Sequence, residues 1–206
     1  METKKSLKRK INSLKKSLSD PALDAHFDAL HMAADSFIEE KTSSSSELSL
    51  PSEIKNQEDL ALFSDGACRG NPGPGAWAYI VQDISGEVIA KDQDVAAKTT
   101  NNRMELAGAI EALKFLKDSK KSGTFYLYTD SRYVVDGIEK WVAGWKARGW
   151  KKADKKEPEN LELWKLLDQL NNELKVNFKW VKGHAGHPQN ELCDQMANEA
   201  LDEAGY

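Results

Sequence analysis

The chain has 206 residues, 40% of them apolar and six of them Trp, enough for one ordinary domain with a proper core plus a small addition. Its formal charge of −4 is the balance of 29 basic and 33 acidic residues, and because these are segregated along the chain the total neither requires nor excludes a polyanionic partner. The two cysteines, Cys68 and Cys193, match no metal-ligand spacing and no disulfide framework, which argues against zinc and for a reducing compartment.

No stretch approaches the length of a membrane span, and the basic N-terminus lacks the apolar core of a secretory signal, so a soluble, cytoplasmic protein without membrane contact is expected. Leu7, Ile11, Leu14 and Leu18 recur at helical spacing among Lys4, Lys5, Lys8, Arg9, Lys10, Lys15 and Lys16, which predicts a basic amphipathic helix. Asp20-Pro21 then starts a second stripe, Leu23, Phe27, Leu30, Ala34 and Phe37, with a cap residue followed by Pro at the first helical position. Asp24, Asp28, Asp35, Glu39 and Glu40 make this second helix acidic, so residues 1–40 read as a charge-complementary helical hairpin. A nucleic-acid or partner-binding arm is the other reading of the same residues. Residues 41–57 hold a serine run without periodicity and read as a flexible linker.

From residue 58 the pattern turns to strands, Leu60 to Ser64, Ala76 to Gln82 and Val88 to Ala90, separated by turn residues as in a meander. Asn102 opens a helix with Leu106, Ala109, Ile110, Leu113 and Leu116 on one face, and "TFYLYTD" is the next strand. A short helix, a Trp-rich basic segment, a helix carrying Leu161, Leu163, Trp164, Leu167 and Leu170, the strand "VNFKWV" and a last helix from Asn190 complete residues 58–206. Strands followed by alternating strands and helices predict an α/β unit with a mixed sheet flanked by helices.

In "FSDGACRGNPGPGAW" an apolar run stops at Asp65 and four glycines follow within ten residues, yet neither common phosphate-loop fingerprint is matched. Asp65 and Asp130 each stand at a predicted strand end, where an α/β sheet usually carries its site. Each acid also has a plain structural role open to it. Asp65 can make a turn, Asp130-Ser131 can cap a helix, Glu105 can close a capping box with Asn102, and Asp194 can complement a helix dipole. Together, four carboxylates converging in one pocket would repel unless cations neutralised them, and oxygen-rich sets suit Mg²⁺ or Mn²⁺.

"FSDGACRGNPGPGAW", "TTNNRMELAGAIEAL", "YTDSRYV" and "WVKGHAGHPQNELCDQMA" resemble, in order, the successive motifs of the ribonuclease H type 1 family, over residues 58 to about 204. The resemblance implies a ribonuclease H-like five-stranded sheet, an antiparallel three-stranded meander plus parallel strands. It also implies an endonuclease that hydrolyses the RNA strand of RNA/DNA hybrids with two Mg²⁺ ions, leaving 3′-hydroxyl and 5′-phosphate ends, with Mn²⁺ expected to substitute. By the same resemblance Asp65, Glu105, Asp130 and Asp194 are metal-binding carboxylates, and His184, in the "KGHAGH" loop, assists proton transfer and product release.

The resemblance further implies that Cys68, Asn71, Asn101 and Asn102 contact ribonucleotides and their 2′-hydroxyls, which a DNA strand lacks. Lys98, Thr100 and Asn160 match the family's phosphate pocket for the DNA strand, with Lys98 in place of the common Arg and hence without a bidentate fork. Residues 140–156, "KWVAGWKARGWKKADKK", carry seven basic residues against one acid and match the family's basic protrusion. Tyr133 and Trp145 are thereby assigned to a channel for the DNA sugar, while Trp141 reads as a packing residue. A related strand-transfer nuclease, a hybrid-binding module without catalysis and a reverse transcriptase's nuclease domain are the rival readings. A monomer is expected, and residues 1–40 resemble no recognised module.

Overall fold

A computed structural model describes residues 26, 27, 30, 48, 50–183 and 185–206. The chain divides into two units, Met1–Glu47 and Leu48–Tyr206. The predicted hairpin lies almost wholly outside the described residues; of its second stripe, Phe27 is buried but Leu30 is 49% exposed. The linker expected at 41–57 is, over its described C-terminal part, folded structure. Ile54 is buried in the core, with Leu48 and Leu50 packed against the same cluster. The carboxylate of Asp59 accepts from the backbone N–H groups of Lys55 and Asn56 at 3.1 and 3.0 Å, which ties this segment to the start of the sheet.

The second unit is the expected mixed five-stranded sheet. Its order is β3-β2-β1-β4-β5, with β1 (Leu60–Cys68), β2 (Gly73–Gln82), β3 (Val88–Thr99), β4 (Phe125–Thr129) and β5 (Asn177–Trp180). The pairs β1–β2 and β2–β3 are antiparallel, whereas β1–β4 and β4–β5 are parallel. Strand β1 is central, so both its faces are covered. Leu60 and Leu62 join one cluster with α1 (Asn101–Ser119), and Ala61 and Phe63 join another. That continuous apolar run is what a doubly covered strand requires.

Downstream of β4 the chain forms α2 (Arg132–Asp136), one π-helical turn (Gly137–Trp141) and α3 (Val142–Ala147). Helices α4 (Leu161–Leu174) and α5 (Pro188–Glu203) follow. Trp164, Leu167 and Leu170 of α4 and Leu106, Ala109, Ile110, Leu113 and Leu116 of α1 are buried on the first face. Cys193, Met196, Ala197, Ala200 and Leu201 of α5 cover the second.

Two strand expectations need correction. Strand β1 does not end at Asp65 but runs on to Cys68, so Asp65 pairs with Ala78 and Gly66 with Trp77 inside the β1–β2 ladder. Strand β3 extends to Thr99, well past Ala90. Its lysines and aspartates hid it because it is an edge strand largely open to water, where charge is a normal protection against edge-to-edge pairing.

The π-helical turn brings Gly137 directly beneath Trp164, whose ring occupies the space a side chain would need. The Gly137→Ala variant should lose about 1–3 kcal/mol of stability by overpacking, with the same sheet and helix content. Chemical denaturation monitored by Trp fluorescence will measure it, and an unchanged midpoint would contradict the packing described.

Candidate active site

The parallel register of β1 and β4 positions the first two acids. Phe63 lies opposite Tyr128 as the last residue of the β1–β4 ladder, and Asp65 and Asp130 each stand two residues further along. Strand β4 stops at Thr129 while β1 continues. The sheet therefore opens between them just where the two carboxylates leave the backbone. Alternation puts Asp65 on the face of Ala61 and Phe63, the face covered by α5, which carries Asp194.

Glu105 arrives from the other face. Helix α1 crosses β1 so closely at Gly66 that a side chain there would overlap the backbone of Met104 and Glu105; glycine is used for this approach. The capping box open to Asn102 and Glu105 does not form. Thr100 takes the N-cap position through its backbone, with no side-chain cap, and Glu105 turns into the site. Its carboxylate accepts from Asn101 Nδ2 at 2.8 Å and from Ser131 Oγ at 2.5 Å. Ser131, not Asp130, caps α2, accepting from the Val134 N–H at 3.2 Å, so Asp130 is released from that structural role.

Asp65 is 8% exposed and its pKa is pushed up to about 8. Burial is the main cause, followed by the neighbouring charge of Asp130, with Asp194 and Glu105 adding to it and the Gly66 N–H opposing it. Glu105 is also raised, by burial and by Asp130, against hydrogen bonds from Ser131 and Asn101. Among the described residues no three Asp, Glu, His or Cys side chains are already drawn close enough to hold one ion. The four acids meet at electrostatic range, with Asp65 as the group that feels the other three. His184 lies outside the described residues; the adjoining Gly183 packs directly against the Asp130 carboxylate. His187 is the N-cap residue of α5 without a side-chain cap bond.

The expected sugar-reading residues fall together. Asn71, in the β1–β2 turn, accepts from the Asn101 N–H at 3.3 Å, and the Cys68 thiol lies 2.7 Å from the Gly70 carbonyl and 3.7 Å from that of Thr99. Asn101 thus bridges the turn to Glu105. Asn102 sits beside it, half-buried in the first turn of α1.

On the far side of α1, Asn160 adopts a left-handed backbone, with φ of 56°, at the start of α4. Its amide is fully oriented. Oδ1 accepts from Arg103 Nη1 at 3.1 Å and Nδ2 donates to Tyr133 Oη at 3.1 Å, while Trp164 Nε1 donates to the same hydroxyl at 3.1 Å. Arg103 also pairs with Glu162 at 2.6 Å. In the sequence the only signal for Arg103 is its place between Asn102 and Glu105. Thr100 is half-buried and Lys98 exposed at the end of β3.

The two tryptophans differ in exposure. Trp145, expected on the DNA-sugar channel, is only 8% exposed, whereas Trp141, expected to pack, is 37% exposed. Trp145 and Tyr133 both lie against Trp164, at ring separations of 5.6 and 5.1 Å, and Trp141 lies over Tyr133 and Trp145 at 5.9 Å. The π-helical turn, Gly137–Trp141, ends at Trp141, and α3 carries Trp145 into the core. Tyr133 remains half-exposed beside it.

Two consequences are measurable. Ser131→Ala removes the hydrogen bond that opposes the rise of the Glu105 pKa, so any activity depending on ionised Glu105 should have its acid limb shifted to higher pH. It should also lose about 1 kcal/mol of stability with the cap; an acid limb that stays in place would separate Ser131 from Glu105. For Asp65 the folded pKa lies above the ordinary value of 3.8, so between about pH 4 and pH 8 the folded chain holds a proton that the unfolded chain releases. Stability relative to Asp65→Asn should therefore fall as pH rises through that window in chelator-treated buffer. Parallel thermal-unfolding curves for the two proteins would show that Asp65 is not buried among like charges.

A family model described as RNase H matches residues 57–202. The chain is 51% identical over 141 residues to a Ribonuclease H of Rhizobium etli, covering 68% of this chain and 90% of that protein. It is 47% identical over 146 residues to a Ribonuclease H of Ruegeria pomeroyi, covering 69% and 92%. Among solved structures, LC9-RNase H1, a type 1 RNase H with the type 2 active-site motif, superposes with a TM-score of 0.64 at 35% identity, covering 74% of this chain and 75% of that one. RNase H1 from the halophilic archaeon Halobacterium salinarum superposes with a TM-score of 0.55 at 28% identity, covering 70% and 98%. With the family model spanning residues 57–202 and relatives about half identical over most of their length, the chain belongs to the ribonuclease H family.

Proposed function

We propose that the protein is an endonuclease that hydrolyses the RNA strand of RNA/DNA hybrids, leaving 3′-hydroxyl and 5′-phosphate ends. The observation that carries this reading is Asp65, buried in the β1–β2 ladder within charge range of Asp130, Asp194 and Glu105. A fold does not bury one carboxylate among three others without return, since the arrangement costs stability at neutral pH. The names of the relatives support the same reading.

The donor set fits a hard divalent cation, being all carboxylate oxygen. Asp65, Glu105, Asp130 and Asp194 would hold two Mg²⁺ ions, with Mn²⁺ able to replace them. Such ions supply activation of the attacking water and charge stabilisation at the leaving oxygen. The protein's own groups do the rest. Asn101 and Ser131 aim Glu105 into the site, Asp65 is pre-positioned by the β1–β2 ladder, and His184 moves the proton to the departing strand.

Strand choice follows from hydrogen bonding. Cys68, Asn71, Asn101 and Asn102 read the hydroxyl-bearing edge of the RNA strand across its minor groove, which a deoxyribose cannot satisfy. Lys98, Thr100 and Asn160 hold a DNA-strand phosphate, with Arg103 fixing the Asn160 amide. Tyr133, with the exposed Trp141 beside it and Trp145 behind, takes the DNA sugar. The lysines between Lys4 and Lys16 support a further nucleic-acid or protein contact through residues 1–40. No described helix is long and apolar enough to cross a membrane, both cysteines are free thiols, and we place the protein in the cytoplasm as a monomer.

Labelled RNA/DNA, RNA/RNA and DNA/DNA duplexes incubated with Mg²⁺ test the proposal. Only the RNA of the hybrid should be cut, and Asp65→Asn and Asp130→Asn should abolish turnover while hybrid binding stays within about twofold. Mg²⁺ should raise the melting temperature of the wild type by mass action and leave that of Asp65→Asn unchanged. Survival of the RNA in the hybrid, or equal cutting of DNA, would refute the activity.

A further inference from the structure

Four arginines lie among the described residues, and three have polar partners. Arg69 pairs with Asp202 at 2.6 Å, Arg103 pairs with Glu162 at 2.6 Å, and Arg148 Nε donates to the Lys151 carbonyl at 3.2 Å. Arg132 differs: among the described residues its guanidinium has a single contact, with Cζ 3.6 Å from the centroid of the Trp180 ring. A planar cation reaches that separation only when stacked over the ring face. All five N–H donors then point sideways from the stack, and the residue is exposed.

The ring beneath is itself fixed by the candidate active site. Trp180 closes the β4–β5 ladder opposite Thr129, and its indole N–H donates to the backbone carbonyl of Asp130 at 3.0 Å. Arg132 stands two residues after Asp130, at the first position of α2. The stack is thus attached at both ends to the residue that carries a site carboxylate, while 38% of Trp180 remains open to solvent.

We infer that the Arg132–Trp180 stack is a binding site for a phosphodiester of the cleaved strand, next to the linkage that is cut. The inference rests on the activity proposed above. A guanidinium presented edge-on matches the bidentate geometry of a phosphate, and stacking on a hydrogen-bonded indole removes most of the side-chain freedom that an exposed arginine would otherwise lose on binding. The strand that reaches the Asp130 carboxylate must also pass this edge. Arg132 therefore grips the RNA backbone on the Asp130 side, as Lys98 and Asn160 are proposed to grip the DNA backbone.

Steady-state cleavage of the hybrid by wild type, Arg132→Ala and Arg132→Lys tests this, alongside thermal unfolding to confirm that each variant is folded. Arg132→Ala should raise KM about tenfold with kcat within about twofold, and should lower the slope of log(kcat/KM) against log[salt] by about one phosphate contact. Arg132→Lys should keep the salt slope but not the KM. In hybrids bearing one neutral methylphosphonate at successive RNA positions, wild type should lose affinity at a linkage adjoining the cut, and Arg132→Ala should be insensitive there. Wild-type cleavage with KM, salt slope and methylphosphonate response all unchanged in Arg132→Ala would overturn this inference alone. A wild type that leaves the hybrid intact would overturn the proposed activity and this inference with it.

Discussion

A carboxylate buried inside the central strand is the constraint to which the rest of the site answers. Asp65 could have been left exposed beyond the end of β1, but the strand continues to Cys68 and keeps it in the β1–β2 ladder, with α5 covering its face. A buried acid among acids is destabilised in its ionised form, so the surroundings have to be rigid enough to hold it there. The ladder on one side, the close crossing of α1 at Gly66 and the early end of β4 supply that rigidity. They also explain why the acids can come from four distant segments yet lie within charge range: Asp65 is fixed by the ladder, Glu105 by the crossing at Gly66, Asp130 by the end of β4 and Asp194 by the packing of α5.

The polar groups nearby are organised in layers. Ser131 caps α2 and orients Glu105; Asn101 joins Glu105 to the Asn71 turn. Further out, Glu162, Arg103, Asn160, Tyr133 and Trp164 form one hydrogen-bonded chain, which links the start of α1 to the start of α4. Residues assigned to opposite strands of a hybrid are therefore held by the same scaffold. The aromatic cluster of Tyr133, Trp141, Trp145 and Trp164 ends that chain, with Trp141 its exposed ring.

Much of the fold was legible. Apolar periodicity located α1 and α4 to within a few residues, and the continuous apolar runs of β1 and β2 announced strands covered on both faces. Edge strand β3 was not legible beyond Ala90, because its polar composition reflects solvent contact and not local preference. The segment 50–57 was read as linker for a similar reason. Its few apolar residues, Leu50 and Ile54, show no repeat, and only the presence of the α5-side cluster gives them something to pack against.

For the site, the sequence by itself singled out the four acids, the asparagine-rich turns and the basic tryptophan segment through the order of motifs that resemble a known family, since such motifs are carried by local runs of residues whatever the detailed packing. The tertiary structure alone decided the rest. Asp65 is mid-strand, Glu105 escapes its capping box, Trp145 is buried while Trp141 is exposed, and Arg103 and Arg132 acquire neighbours that no spacing announced. The physical reason is common to all of these. Which face a side chain presents depends on where a neighbouring strand stops or a helix crosses, and those events are settled by packing between segments far apart in the chain.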